Sequence, residues 1–142
     1  MTDDPISPAD RNSDSIPSHV LQLRRLLLRL HKTLLDDERA AFERVHGRIE
    51  SSYKLLNLVM SDPWFDWLHA LSELVVRIDE TLDADEPMSI EQARHFVGQT
   101  QDLLTPAEGG TGFGRKYYEA LQRSPDVVLA HREVTKVLEA AS

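Results

Sequence analysis

The chain contains no cysteine, which excludes disulfides, thiolate metal sites and cysteine nucleophiles and fits a reducing compartment. Positive charge is in deficit: 16 Lys and Arg stand against 24 Asp and Glu, a net charge of −8. Such a balance repels phosphate backbones and anionic lipid surfaces, so broad nucleic-acid or membrane binding is not expected. No apolar run approaches the roughly 20 residues that span a bilayer, and the N-terminus has neither the basic start nor the apolar stretch of a signal peptide. A cytoplasmic location is therefore expected. GxSxG and HExxH motifs are absent and the serines fall mainly at helix caps or near the N-terminus, so no catalytic residue and no cofactor is expected. Aromatics make up only 6% of the 142 residues. Three of them lie together between Trp64 and Trp67.

That aromatic stretch opens the sharpest signal present, DPWFDWLHALSELVVRIDETL from Asp62 to Leu82. Asp62 is a preferred N-cap, and Pro63 suits the first helical position, where its missing donor costs nothing. At about 100° per residue, Trp64, Trp67, Leu68, Leu71, Leu74, Val75, Ile78 and Leu82 share one face opposite Asp66, His69, Glu73, Arg77 and Glu80. This spacing predicts an amphipathic core helix.

Residues 1–17 carry three prolines and four aspartates against one arginine and lack the apolar area that offsets ordering entropy, which predicts a disordered acidic tail. The single folded domain is then 18–142. Ser18 can cap a long helix to about His46, closed by Gly47 in the left-handed position. Val20, Leu23, Leu27, Leu30, Leu34, Ala41 and Val45 form one apolar stripe of that helix. Leu21, Leu28, Leu35 and Phe42 form a second, nearly opposite. Two apolar faces need two partners, so the helix is either packed on both sides or presents Leu21, Leu28, Leu35 and Phe42 to another copy of the chain.

Ser51 or Ser52 can open a short helix through Tyr53, Leu55, Leu56, Leu58, Val59 and Met60. After an acidic turn, Ser89 with Gln92 three residues on is a capping-box pattern for a helix to about Leu104 with Ile90, Ala93, Val97, Thr100 and Leu104 inward. A glycine-rich loop precedes a short helix bearing Tyr117 and Leu121, and Ser124-Pro125 starts a last helix with Val127, Ala130, His131, Val134, Leu138 and Ala141 inward. No run of alternating β-branched residues marks a strand. The fold predicted is all-α: a helical bundle of about four main helices with one or two short ones.

Four constellations bear on function. Glu43-x-x-His46 and Asp66-x-x-His69 have the carboxylate–imidazole spacing of bundle metal sites, but both pairs point away from the principal apolar stripes, so no metal site is expected. Gly109 to Lys116 places glycines, a helix start and two cations together, yet it lacks P-loop spacing and a preceding strand; a flexible connector fits better. Arg24, Arg25, Arg29 and Lys32 gather near the expected start of the long helix, where cations oppose the macrodipole; they are a solvated face or a dock for acidic partners. Asp37 lies in register with Leu23, Leu30 and Leu34, where a carboxylate must find a cation, donors or a proton. His31, Asp37, Glu38, Asp79 and His131 could then line a polar pocket, against local satisfaction of each.

The runs LHKTLLDDERAAFERVHGRI, NLVMSDPWFDWLHALSELVVRIDE and YYEALQRSPDVVLAHREV resemble a family of small uncharacterised bacterial all-helical proteins with no assigned activity. The resemblance covers nearly everything after residue 17. It implies a bacterial cytoplasmic helical domain and transfers no functional residue. The function expected is a non-enzymatic interaction or structural module that self-associates, making a homo-oligomer or binding a protein partner. A small-molecule- or metal-binding bundle built on the polar pocket is the alternative.

Overall fold

A computed structural model describes residues 8–141, with side chains from Ser15 onward, and among these residues it is all helical with no strand. The helices are α1 (Pro8–His46), α2 (Ser52–Ser61), α3 (His69–Asp83), α4 (Ile90–Leu103), α5 (Phe113–Arg123) and α6 (Pro125–Ala141), with a 3-10 segment at Pro63–Leu68 before α3. Among the described residues no helix is long and apolar enough to cross a membrane.

The local signals set most boundaries. Ser51 Oγ accepts from the Lys54 amide at 3.1 Å to open α2, and Asp62 Oδ1 accepts from the Trp64 amide at 2.9 Å ahead of Pro63. Ser89 and Gln92 make both arms of a capping box, 2.9 and 3.0 Å. Ser124 Oγ accepts from the Val127 amide at 3.3 Å to open α6. Gly47 ends α1 at φ +89°, with its amide donating to the Glu43 carbonyl at 2.9 Å. Only glycine takes that backbone region without a Cβ clash.

The start of α1 differs from expectation. The helix begins at Pro8, not Ser18, so 8–17 is helical rather than tail; residues 1–7 of the expected tail lie outside the described residues. Ile16 supplies the reason, because it is buried and extends the core stripe by one more turn. Pro17 removes one intrahelical donor, and nearby Ser18 Oγ donates to the Ser15 carbonyl at 2.8 Å. At 1.5 Å per residue the rod is about 58 Å long. The cations at Arg24 to Lys32 therefore sit well inside the helix, where the macrodipole argument does not apply.

Ile16, Val20, Leu23, Leu27, Leu30 and Leu34 repeat at alternating steps of four and three and are all buried, a spacing that keeps one seam of a helix against its neighbours. α6 covers this seam most extensively, with α4 and α3 completing the wall. Beyond Leu34 the inward positions are Glu38 and Phe42, not Ala41 and Val45 as the sequence stripe has it, and Val45 is exposed. Two steps of four rotate the inward face, and the aromatic corner fixes the outcome. Phe42 lies 5.6 Å from both Trp64 and Phe65, and its ring stacks on His46 at 4.3 Å.

A second shift occurs at the corner itself. Phe65 is fully buried, while Trp64 and Trp67 are only partly so. Because 63–68 is a 3-10 segment with about 3.0 residues per turn, Phe65, Leu68 and Leu71 line up, and α3 carries the stripe on through Leu74, Val75 and Ile78. On α4 and its C-cap, Ala93, Val97, Thr100 and Leu104 are buried as expected, with Phe96 added, while Ile90 is only half-buried; on α6, Val127, Ala130, Val134 and Leu138 are buried, and His131 and Ala141 only half-buried.

Candidate functional site

The five residues expected to line one polar pocket instead make four separate contacts. Asp37 and Glu38 share Arg123 at the end of α5: Nε and Nη2 donate to Asp37 Oδ2 at 2.8 and 2.5 Å, and Nη2 donates to Glu38 Oε1 at 2.8 Å. Burial disfavours the Arg123 charge, but the bonds and field of Asp37 and Glu38 outweigh it and raise its pKa. His131 Nδ1 and Tyr117 Oη are joined by a hydrogen bond of 2.6 Å, clamping α6 to α5. Burial raises the Tyr117 pKa and lowers that of His131, so both groups are held neutral. His31 Nε2 meets Ser72 Oγ at 2.8 Å, and Asp79 pairs with Arg24. Burial first, then the nearby His69, lowers the His31 pKa.

The carboxylate–imidazole pairs are likewise used within the fold. Glu43 accepts from the Ile49 amide at 2.8 Å and pairs with Arg39 at 3.5 Å. His46 stacks on Phe42, and His69 Nε2 donates to the Val59 carbonyl at 2.9 Å, tying α2 to the start of α3. Among the described residues no three His, Asp or Glu side chains gather as metal ligands would. In the glycine-rich segment, Arg115 donates to the Glu108 carbonyl and pairs with Glu119 at 3.2 Å, and the Ala107 amide donates to the Gly114 carbonyl at 3.0 Å. Arg115 is thus engaged internally.

What the fold leaves on its surface is more informative. The second stripe of α1 divides: Phe42 belongs to the core, Leu35 is half-buried against it, and Leu21 and Leu28 remain 55% and 43% exposed. The two polar contacts just described fix how α3 runs beside them. Seven residues forward on α1, from Arg24 to His31, match seven residues back on α3, from Asp79 to Ser72. The helices are antiparallel, and Val76 comes level with Leu28. Val76 is 51% exposed, so Leu21, Leu28 and Val76 line the outer side of one α1–α3 seam.

Helical spacing from the buried faces puts Arg25 and Lys32 on the outward ridge of α1, and Glu73 and Glu80 on the outward ridge of α3. All four are exposed, and none makes an ion pair among the described residues. The seam is therefore an apolar strip between a basic and an acidic ridge. A second apolar stripe lies on α2, where Tyr53, Leu56 and Met60 are exposed at steps of three and four while Leu55, Leu58 and Val59 pack inward.

The sequence singled out Leu21 and Leu28 but not Val76, whose partner across the seam depends on tertiary register. The charged ridges were missed for the same reason. The α2 stripe had a usable signal: Tyr53, Leu56 and Met60 share a helical face opposite the inward residues, too much apolar surface for a ten-residue helix to bury on one side. Compared with known proteins, the chain matches no family model, no curated protein and no solved structure.

Proposed function

We propose that this protein is a non-enzymatic interaction module of the cytoplasm that self-associates. The single observation behind this reading is that Leu21, Leu28 and Val76 stay in water although the inner stripe of α1 is already fully covered by α3, α4 and α6. A fold with a complete core gains nothing by keeping large apolar side chains grouped at a helix seam, and such groups mark association surfaces. Dispersal of His31, Asp37, Glu38, Asp79 and His131 into four separate contacts removes the support for a ligand-binding bundle. Sedimentation velocity from one to one hundred micromolar tests the reading. A concentration-dependent rise in sedimentation coefficient is expected, and a strict monomer throughout that range would refute it.

A further inference from the structure

The α1–α3 seam carries its own charge complement. Arg25 stands near the level of Glu80, and Lys32 near the level of Glu73, because the register set by Arg24–Asp79 and His31–Ser72 runs the two helices in opposite directions. Each pair lies on opposite ridges of one molecule, with Leu28 and Val76 between them. Within one chain these ridges do not pair.

Two face-to-face arrangements of a second copy keep two-fold symmetry on such a strip. With the axis across the helices, α1 lies antiparallel on the partner's α1, and the cations of Arg25, Arg29 and Lys32 confront their own copies. With the axis along the helices, α1 lies antiparallel on the partner's α3. Arg25 then meets the partner's Glu80, Lys32 meets the partner's Glu73, and symmetry repeats both pairs. Leu28 falls against the partner's Val76 in the centre. Like charges directly opposed are unfavourable and opposite charges fix register, so the second arrangement is selected.

We propose that a second copy of this chain docks on the α1–α3 seam in that isologous arrangement, α1 against the partner's α3, an inference that rests on the self-association reading above. The strip is short. From Leu21 to Leu35 is about 21 Å at 1.5 Å per residue, and two helices side by side span about 20 Å, so the contact falls at the small end of specific interfaces. A micromolar dissociation constant follows, with marked weakening by salt because the pairs are exposed.

A complementation experiment decides the matter. Arg25→Glu with Lys32→Glu makes both ridges acidic, and Glu73→Lys with Glu80→Arg makes both basic. All four side chains are exposed, and circular dichroism reports whether each variant keeps its helices. Each variant alone is expected to dimerise about tenfold or more weakly than the natural chain, and an equimolar mixture to recover a heterodimer by sedimentation and by native mass spectrometry. Leu28→Asp supplies an independent arm, with a comparable loss expected. If the natural chain dimerises but neither charge variant nor Leu28→Asp weakens it, the seam assignment is overturned while self-association stands, and Leu56→Asp on α2 is the next face to probe. Weakening without recovery in the mixture overturns the arrangement of α1 on the partner's α3. A natural chain that stays monomeric overturns both readings.

Discussion

Arg123→Ala is the perturbation that most directly tests how Asp37 and Glu38 of α1 are held. Arg123 joins the end of α5 to α1 through three hydrogen bonds, and the side chains of Asp37 and Glu38 are only 15% and 9% exposed while Arg123 is 34% exposed. Stripping the cation from a fully buried pair costs about 3–5 kcal/mol, and from an exposed pair about 0–1 kcal/mol. Because the guanidinium is one-third exposed and water can reach the site, the expected loss lies between, about 1.5–3 kcal/mol. For a chain of this length that lowers the melting temperature by roughly 5–12 °C. Glu38→Gln keeps an oxygen for Nη2 and removes the charge, so alone it should cost under about 1 kcal/mol. In the Arg123→Ala background it should be neutral or stabilising, because the buried charge left without a partner is gone, and the cycle should show coupling of about 1 kcal/mol or more. Urea unfolding of the four proteins measures this. Loss below about 0.5 kcal/mol for Arg123→Ala, or additive effects in the cycle, would show that solvent rather than Arg123 satisfies the two acids.

Three further outcomes are expected. Phe65→Ala, at a fully buried position, should destabilise by about 3–5 kcal/mol in urea unfolding, and a cost under about 1.5 kcal/mol would refute its place in the core. His31 and His131 are both held below the ordinary histidine range by burial, so as pH falls below about 6.5 the unfolded chain takes up protons first. Their contribution is complete above that pH and shrinks as pH falls toward the folded-state pKa values: the melting temperature should drop between pH 7.5 and 5.5, and less steeply in His131→Gln; an unchanged slope in that variant would refute the assignment. Ser89→Ala, which removes the side-chain arm to the Gln92 amide, should cost about 1 kcal/mol, and adding Gln92→Ala should cost less than the sum of the single losses, since the box is reciprocal.

Caps and turn residues were the most legible part of the fold. Ser51, Asp62, Ser89, Ser124 and Gly47 act through bonds to backbone groups within four residues, so nothing distant decides them. Long regular periods were nearly as plain: Val20 through Leu34 and Leu68 through Ile78 are buried as their spacing requires. Where the period itself changed, reading failed. A 3.6-residue period leaves Phe65 off the core face, whereas this stretch turns in about three. Extending the inner stripe past Leu34 through Ala41 and Val45 puts Phe42 on the outer one, although the Trp64 and Phe65 rings wait on the other side. In both places aromatic packing between segments overrode local spacing.

The polar residues teach the complementary lesson. The helical register of Asp37 demands a cation, donors or a proton; the cation that answers it sits 86 positions away on α5, and no short-range pattern couples them. His31 and Asp79 were grouped with it because they flank apolar stripes. Their true partners, Ser72 and Arg24, are the two contacts that set the antiparallel register of α1 and α3. These polar groups therefore serve as alignment pins, and the alignment is what brings Leu28 beside Val76 and sets basic and acidic ridges on either side. A surface with functional character thus emerges from residues whose individual roles are structural. Replacing His31 and Ser72 with a leucine and an alanine would keep the seam closed by apolar contact but remove one pin. If register matters as argued, that double variant should weaken self-association without touching any residue on the docking face, and undiminished dimerisation in a folded variant would show that packing alone holds the two helices in register.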